Sequence, residues 1–432
     1  MLFVQNERLL DLMKSEYKLA DINNLLAFCG KNRIFEFSTL DNGLFPAART
    51  NSQTDYTGYS SVWVRDNIHI AHAHYVCGNA QVAVKNVSAL QAYFNKHRGR
   101  FENIVSGASD SRNPMNRPHV RFNGQNMEEI DEKWAHAQND ALGYFLWFYC
   151  RLALDNLLSP STSDLELLTL FPRYWQSIRF WEDEDSGHWE ENRKISASSI
   201  GVVIAALKEM QRYLLRIGSL EYSALIDKLI TIGSKKLAEI LPCECAQVAP
   251  GKYRRYDSAL LFLIFPLDIL DEEMANTVLR DVINNLQGDH GIRRYLGDSY
   301  WSADYKKKVA PESRTIDFSD DIGKRNALLR EGEEAQWCIF DPIISAIYAL
   351  KFKHHSRNID LENQIHYFNR SLGQITGREC ALGEFLCPES YYLENDQYVP
   401  SDPTPLNWTQ ANLMMAIKLL EKNLCKKPCL FK

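Results

Sequence analysis

The chain has 432 residues, a formal net charge of −6, 45% hydrophobic residues and 24% charged residues. Such values are ordinary for a soluble globular protein and exclude a disordered chain, while the negative balance argues against nucleic acid as a partner. No apolar run reaches the roughly 18 residues of a membrane helix, and the longest, residues 259–270, contains Pro266.

Residues 1–7 show neither a basic segment nor an apolar one, so no secretory signal is read and a cytoplasmic address is expected. The ten cysteines are scattered, several in apolar helical stretches (Cys29, Cys77, Cys150, Cys338), and are expected to be reduced. Cys243 with Cys245 and Cys425 with Cys429 lack the spacing and the histidine partners of a zinc site. His69 and His72 with Asp66 share a helix face, for which packing and hydrogen bonding account more simply than metal ligation. Neither a metal nor a cofactor is expected.

Apolar residues recur at three- and four-residue spacing over residues 9–28, a helical segment that ends at Gly30. Asp41-Asn42-Gly43 within residues 34–48 favours a hairpin or an extended excursion. Helices are then expected over 66–77, 80–98, 137–154, 165–182, 196–216, 220–241, 256–268, 271–287, 334–352, 356–376 and 405–424, with almost no strand alternation. The long connections, residues 99–132, 287–333 and 377–404, are rich in Trp, Tyr, Arg and Glu, which points to function rather than disorder.

Conspicuous side chains gather at alternate helix starts. Trp63-Val64-Arg65-Asp66 opens one helix, and Trp134 with Gln138, Asn139 and Asp140 opens another. Trp189-Glu190-Glu191 leads into the helix near Ser196, and Tyr256-Asp257 begins the next. Glu333-Glu334-Ala335-Gln336-Trp337 and Leu406-Asn407-Trp408 complete the series. Capping preferences explain the acids at helix starts but not the indoles. If consecutive helices run antiparallel, all six clusters meet on one rim. The expected fold is therefore all-α: a toroid of six helical hairpins occupying residues 1–432 as a single domain, its inner helices directing their N-termini into a common cup.

Indoles, carboxylates and arginines around a cup suit a carbohydrate, whose apolar faces stack on rings while its hydroxyls meet charged groups. Glycoside hydrolysis needs a protonated and an ionised carboxyl flanking the bond. Glu190, directly after Trp189, is the candidate acid, because an apolar neighbour raises a carboxyl pKa. Glu389 is the best placed partner, with Glu384 and Glu394 in competition. Asp257 reads equally as a helix cap, and of Glu331, Glu333 and Glu334 one is expected to touch sugar. The acidic run Glu182-Asp183-Glu184-Asp185 is expected to be solvated.

These segments resemble glycoside hydrolase family 15, the glucoamylase family. Trp63-Val64-Arg65-Asp66 is similar to its Trp-x-Arg-Asp segment, Trp134 to its second Trp-bearing segment, and Trp189-Glu190-Glu191 to its Trp-Glu-Glu. Arg294-Tyr295-Leu296-Gly297-Asp298 resembles its Arg-Tyr-x-x-Asp, and Pro388-Glu389 followed by Leu406-Asn407-Trp408-Thr409 resembles its catalytic-base loop and the segment after it. The resemblance implies a six-fold α/α toroid and an inverting, exo-acting hydrolase that releases β-glucose from α-glucan ends. Glu190 would be the general acid and Glu389 the general base. Trp63, Arg65, Asp66, Trp134, Asp140, Trp189, Glu191, Asp257, Arg294 and Trp337 would hold sugar. The two carboxyls of an inverting enzyme stand roughly 6.5 to 9.5 Å apart.

A second resemblance cuts the other way. Trp189-Glu190, Ser198-Ser199-Ile200-Gly201, Asp257-Ser258-Ala259-Leu260-Leu261 and residues 291–300 are similar to the N-terminal toroid of the phosphorylase kinase α and β subunits. That likeness implies a regulatory toroid which binds α-glucan without cleaving it.

Overall fold

The computed structural model describes residues 2–249, 251–329 and 332–426; Glu331 and Cys429 fall outside them. Helix α1 (Leu19–Lys31) precedes five helical hairpins. The first three are α2 (Val64–Val76) with α3 (Ala80–Lys96), α4 (Asn139–Leu154) with α5 (Thr162–Ile178), and α6 (Ala197–Arg216) with α7 (Ser223–Ile240). The other two are α8 (Leu261–Ile264) with α9 (Glu272–Leu286), and α10 (Phe340–His355) with α11 (Asn358–Gly373). The last helix, α12 (Asn407–Lys426), takes α1 as its outer neighbour, so the sixth hairpin joins the two ends of the chain.

Each even-numbered helix packs on the next, and α12 packs on α2, which closes an inner ring. The sequence explains which helices lie inside. In α4 nearly every residue from Asn139 to Ala153 is buried, as a helix apolar all round requires. The outer α9 buries one stripe: Ala275, Val278, Leu279, Val282 and Leu286. Inner helices approach closely where a side chain is missing: a Cβ on Gly143 of α4 would stand 2.8 Å from Val202 Cγ1 and 3.2 Å from the Val202 carbonyl carbon of α6. One core runs through the ring, and a second, with Leu9, Ile22, Leu25, Phe368, Leu413 and Ile417, seals the seam between α1, α11 and α12.

The α/α toroid is as expected, with local differences. The helix expected over 256–268 is a 3-10 turn, Ser258–Leu260, followed by the four residues of α8, because Pro266 lacks the N–H that would continue it. The N-terminal segment divides into a 3-10 helix, Glu7–Leu12, and α1. Residues 34–48 form no strand, only an isolated bridge between Ala48 and Leu406.

Two small antiparallel sheets were not foreseen. The first orders β1 (Val62–Trp63), β2 (Arg121–Asn123) and β3 (Glu128–Glu129), with Val62 opposite Phe122. The second orders β4 (Gln336–Trp337), β5 (Ser390–Glu394) and β6 (Gln397–Pro400), with Trp337 opposite Ser390. Both deliver chain to the inner-helix starts, since β1 runs into α2 and β4 lies just before α10. Among the described residues no helix is long and apolar enough to cross a membrane.

Candidate active site

The inner-helix starts surround a cavity of about 740 Å³, part of it open to solvent. Trp63, Arg65, Asp66, Trp134, Trp189, Glu190, Arg294, Trp337 and Glu389 line it together with Tyr59, Tyr300 and Trp408. Every even-numbered helix or the segment just before it contributes to this wall or to its support.

Glu190 is presented by a loop pinched at its base, where Asp185 and Lys194 exchange two backbone hydrogen bonds of 3.0 Å. Within it, Gly187–Trp189 make one 3-10 turn. Glu190 then takes a left-handed conformation (φ 56°), which a glutamate adopts only when its surroundings impose it. Gln138 Nε2 donates to Glu190 Oε1 at 3.2 Å, and Arg65 Nη1 stands 3.7 Å from the same oxygen. Burial raises the Glu190 carboxyl above its ordinary value, while the guanidinium groups of Arg65 and Arg121 and the Gln138 hydrogen bond pull it back. Burial likewise lifts Asp66 to about 7, against the pull of Arg65.

Glu389 begins the opposite wall. Its carbonyl accepts from the Cys338 N–H at 2.9 Å, continuing the β4–β5 ladder, and its own N–H donates to the Pro403 carbonyl at 3.2 Å. Tyr59 Oη donates to Glu389 Oε1 at 2.7 Å and lies 3.0 Å from Tyr300 Oη. Glu389 Oε2 has no hydrogen-bond partner among the described residues. Burial pushes this carboxyl up to about 8, opposed by the Tyr59 hydrogen bond and the charge of Arg294.

Three predicted contacts lie behind the wall. Asp140, fully buried, accepts from Arg65 Nε at 2.6 Å, and Arg65 Nη2 also donates to Gln138 Oε1 at 2.6 Å and to the Gly187 carbonyl at 3.0 Å. Asp140 therefore aims Arg65. Asp257 accepts from Trp189 Nε1 at 2.9 Å and from the Ala259 N–H at 2.9 Å, so it caps its helix and fixes the indole at once. Glu191 is neutralised by Arg254 at 2.6 Å and Lys194 at 3.1 Å and accepts from the Tyr295 hydroxyl, and these partners hold its carboxyl well below the usual range. Arg294 lines the cavity with one edge of its guanidinium, Nε and Nη2, committed to Asp298 at 2.6 and 2.7 Å, and its guanidinium lies 4.7 Å from the Trp337 ring.

The competing acids stand elsewhere. Glu384 contacts Arg8 and Asn6 on another face, and Glu394 accepts from Tyr392 Oη at the far end of β5. Glu334 accepts from the Gly297 N–H at 2.8 Å and pairs with Arg293, outside the cavity wall. The acidic run is solvated only in part: the side chains of Glu182 and Glu184 are exposed, whereas Asp183 pairs with buried Arg117 through two 2.6 Å contacts, and buried Asp185 accepts from the Asn139 N–H at the start of α4. His69 stacks on Trp408 at 4.5 Å, and among the described residues no group of His, Cys, Asp and Glu is arranged to hold a metal.

Tyr59, Tyr300 and Arg325 were not singled out from the sequence. Tyr300 lies just past the Arg294–Asp298 segment, which is a usable signal; Tyr59, in a polar loop, and Arg325, on a five-residue helix, offer none.

The fold of this chain is shared with solved glycosidases. A glycosidase in complex with glucose is similar over 93% of this chain and 97% of its own, with a TM-score of 0.65 and 16% identity. A bacterial glucoamylase complexed with acarbose is similar over 90% of this chain and 54% of its own, with a TM-score of 0.59 and 15% identity. At these identities the likeness is one of fold. The model of glycosyl hydrolases family 15 matches residues 32–330, which is more than half of the chain, and the chain belongs to that family. The match includes Glu190 and stops short of Glu389. A probable phosphorylase b kinase regulatory subunit alpha of Drosophila melanogaster is 24% identical over 288 residues, covering 60% of this chain. The matched stretch is 22% of that relative, so the chain spans only about a fifth of its length.

Proposed function

We propose that the protein is an inverting, exo-acting α-glucoside hydrolase that releases β-glucose from the non-reducing end of α-glucan or maltooligosaccharide. The observation that carries this reading is the pair of carboxyls, half-buried Glu190 and buried Glu389, lining one aromatic cavity from different elements. In this scheme Glu190 gives its proton to the glycosidic oxygen as the bond from the anomeric carbon breaks. Glu389 takes a proton from a water that attacks that carbon on the opposite face, so the configuration inverts. Trp63, Trp134, Trp189 and Trp337 supply ring faces for the sugar, and Arg65, Asp66 and Arg294 supply charged edges.

Two features support a base at Glu389. Tyr59 donates to one carboxyl oxygen, which favours the ionised form, and the other oxygen is buried with no partner among the described residues, so it is uncommitted as a proton acceptor. The active form carries its proton on Glu190 and none on Glu389, although burial raises both carboxyls. Only part of the protein holds that arrangement at any pH, and the rate follows a bell whose limbs belong to the pair.

The kinship with phosphorylase kinase regulatory subunits favours a second reading, a toroid that binds α-glucan without cleaving it. Proton NMR of a panel of α-1,4, α-1,6 and α,α-linked glucosides separates the two. Initial β-glucose is expected; initial α-glucose removes the two-carboxylate scheme, and binding without glucose release selects the sensing toroid.

A further inference from the structure

Residues 304–329 run as a strap across the mouth of the cavity. On one side Arg314 donates to Tyr56 Oη at 3.2 Å and Lys306 to Asp402 at 2.9 Å. On the other side Lys133 pairs with Asp320 at 2.6 Å. Ile316 is 40% exposed on this strap, while Thr315, Asp317 and Arg325 line the cavity.

Arg325 differs from the other arginines of the wall. Arg65 is neutralised by Asp140, and Arg294 by Asp298. Arg325 is only 6% exposed, yet no carboxylate among the described residues pairs with it. Its Nε donates to Ser299 Oγ at 3.0 Å, and its guanidinium carbon lies 5.5 Å from the Tyr300 ring and 5.4 Å from the Phe318 ring. Its Nη2 is buried with no hydrogen-bond partner. The cation is therefore held in place by one hydroxyl and two rings, with Nη2 left without a partner among the described residues. Leaving a guanidinium buried and unpaired is costly, and the planar edge fits the two oxygens of an oxyanion. Asp317 Oδ1 accepts from the Ser319 N–H at 2.7 Å, and its Oδ2 is also unpartnered, an acceptor suited to a sugar hydroxyl.

We propose that Arg325 is an anion-recognition residue, and that the α-glucoside taken by this cavity carries a phosphate or carboxylate on its leaving sugar. The assignment to the leaving sugar rests on the exo-acting reading above. The terminal glucose fills the floor at the inner-helix starts, so the group beneath the strap is the next one.

The test uses glucosyl disaccharides in α-1,4 and α-1,6 linkage whose second sugar is glucose, glucose 6-phosphate or glucuronate. Binding to the Glu190→Gln variant is measured by calorimetry, and turnover is measured on the unaltered protein. One anionic disaccharide is expected to bind roughly ten- to hundred-fold more tightly than the neutral one, as charge-assisted hydrogen bonds imply. Preference for the phosphate or for the glucuronate identifies the source of the oxyanion. In Arg325→Gln the ratio of anionic to neutral affinity falls toward one, and Arg325→Lys restores part of it. Equal binding of all three disaccharides by protein carrying Arg325 overturns the proposal, even if Arg325→Gln does not fold. Turnover of the neutral disaccharide with no anionic preference removes the anion site and keeps the hydrolase. Anionic preference without turnover keeps the site and removes the hydrolase.

Discussion

The two walls of the cavity hold the same kind of group by opposite means. On the Glu190 side the surroundings are polar and nearly saturated: Arg65 is bound by Asp140, Gln138 and the Gly187 carbonyl, and Gln138 reaches Glu190 itself. On the Glu389 side one phenol meets the carboxylate and the remaining oxygen has no partner. Burial raises both acids against the pull of guanidinium groups, Arg65 and Arg121 at Glu190 and Arg294 at Glu389, and Glu389 reaches about 8. Two glutamates in one cavity thus differ in the groups that meet their carboxyls, and only Glu389 keeps an oxygen without a partner among the described residues.

The largest effects should come from the carboxyls themselves. Glu190→Gln and Glu389→Gln are each expected to lower kcat by roughly 10²- to 10⁴-fold, the usual worth of a positioned acid or base. Glu190→Gln should still bind maltooligosaccharide by calorimetry. Full turnover in either variant would remove that residue from the scheme.

Next in size is the pH dependence. Burial raises both carboxyls, Glu389 to about 8, so both limbs of the kcat/KM bell, which belong to the pair, should lie above the ordinary carboxylate range. An acid limb near pH 4.5, the ordinary value, would contradict the environment described for the two carboxyls. Tyr59→Phe removes the donor that favours ionised Glu389, so the limb governed by Glu389 should move to higher pH and kcat should drop about ten-fold, the scale of one charge-assisted hydrogen bond.

A stability effect comes next. Trp189→Phe deletes the N–H that Asp257 accepts and leaves a buried carboxylate short of a partner, at a cost of about 1–3 kcal/mol readable by denaturant unfolding. The smallest effect sharpens the contrast between the walls. Arg121, whose guanidinium lies 3.9 Å from the Trp134 ring, helps to pull the Glu190 pKa down. In Arg121→Met one limb of the bell, that governed by Glu190, should rise by less than about one pH unit while the other stays in place. Movement of both limbs would show that the two walls are not independent.

Much of this was legible in the chain. The period of the apolar residues defined the helices, and the indoles at alternate helix starts implied that those starts converge. Trp63, Arg65, Asp66, Trp134, Trp189, Glu190, Arg294, Trp337 and Glu389 accordingly line one cavity. The β5–β6 hairpin was overlooked although Asn395 and Asp396 stand between two short β-prone runs and both take positive φ, as a tight hairpin turn requires.

What sequence alone determined is therefore the all-α class, the six-fold repeat and the identity of most wall residues, because helical period and helix polarity are local properties of the chain. Only the tertiary structure decided which acids face the cavity and which stand behind it. Asp140, Glu191 and Asp257 carry the same carboxyl as Glu190 and Glu389, and they differ in having Arg65, Lys194, Arg254 or Trp189 as partners from distant or folded-back segments. The strap that brings Arg325 to the mouth is likewise a product of contacts across the ring, which no local pattern encodes. Burial and pairing set the charge of each group, and both exist only once the ring has closed.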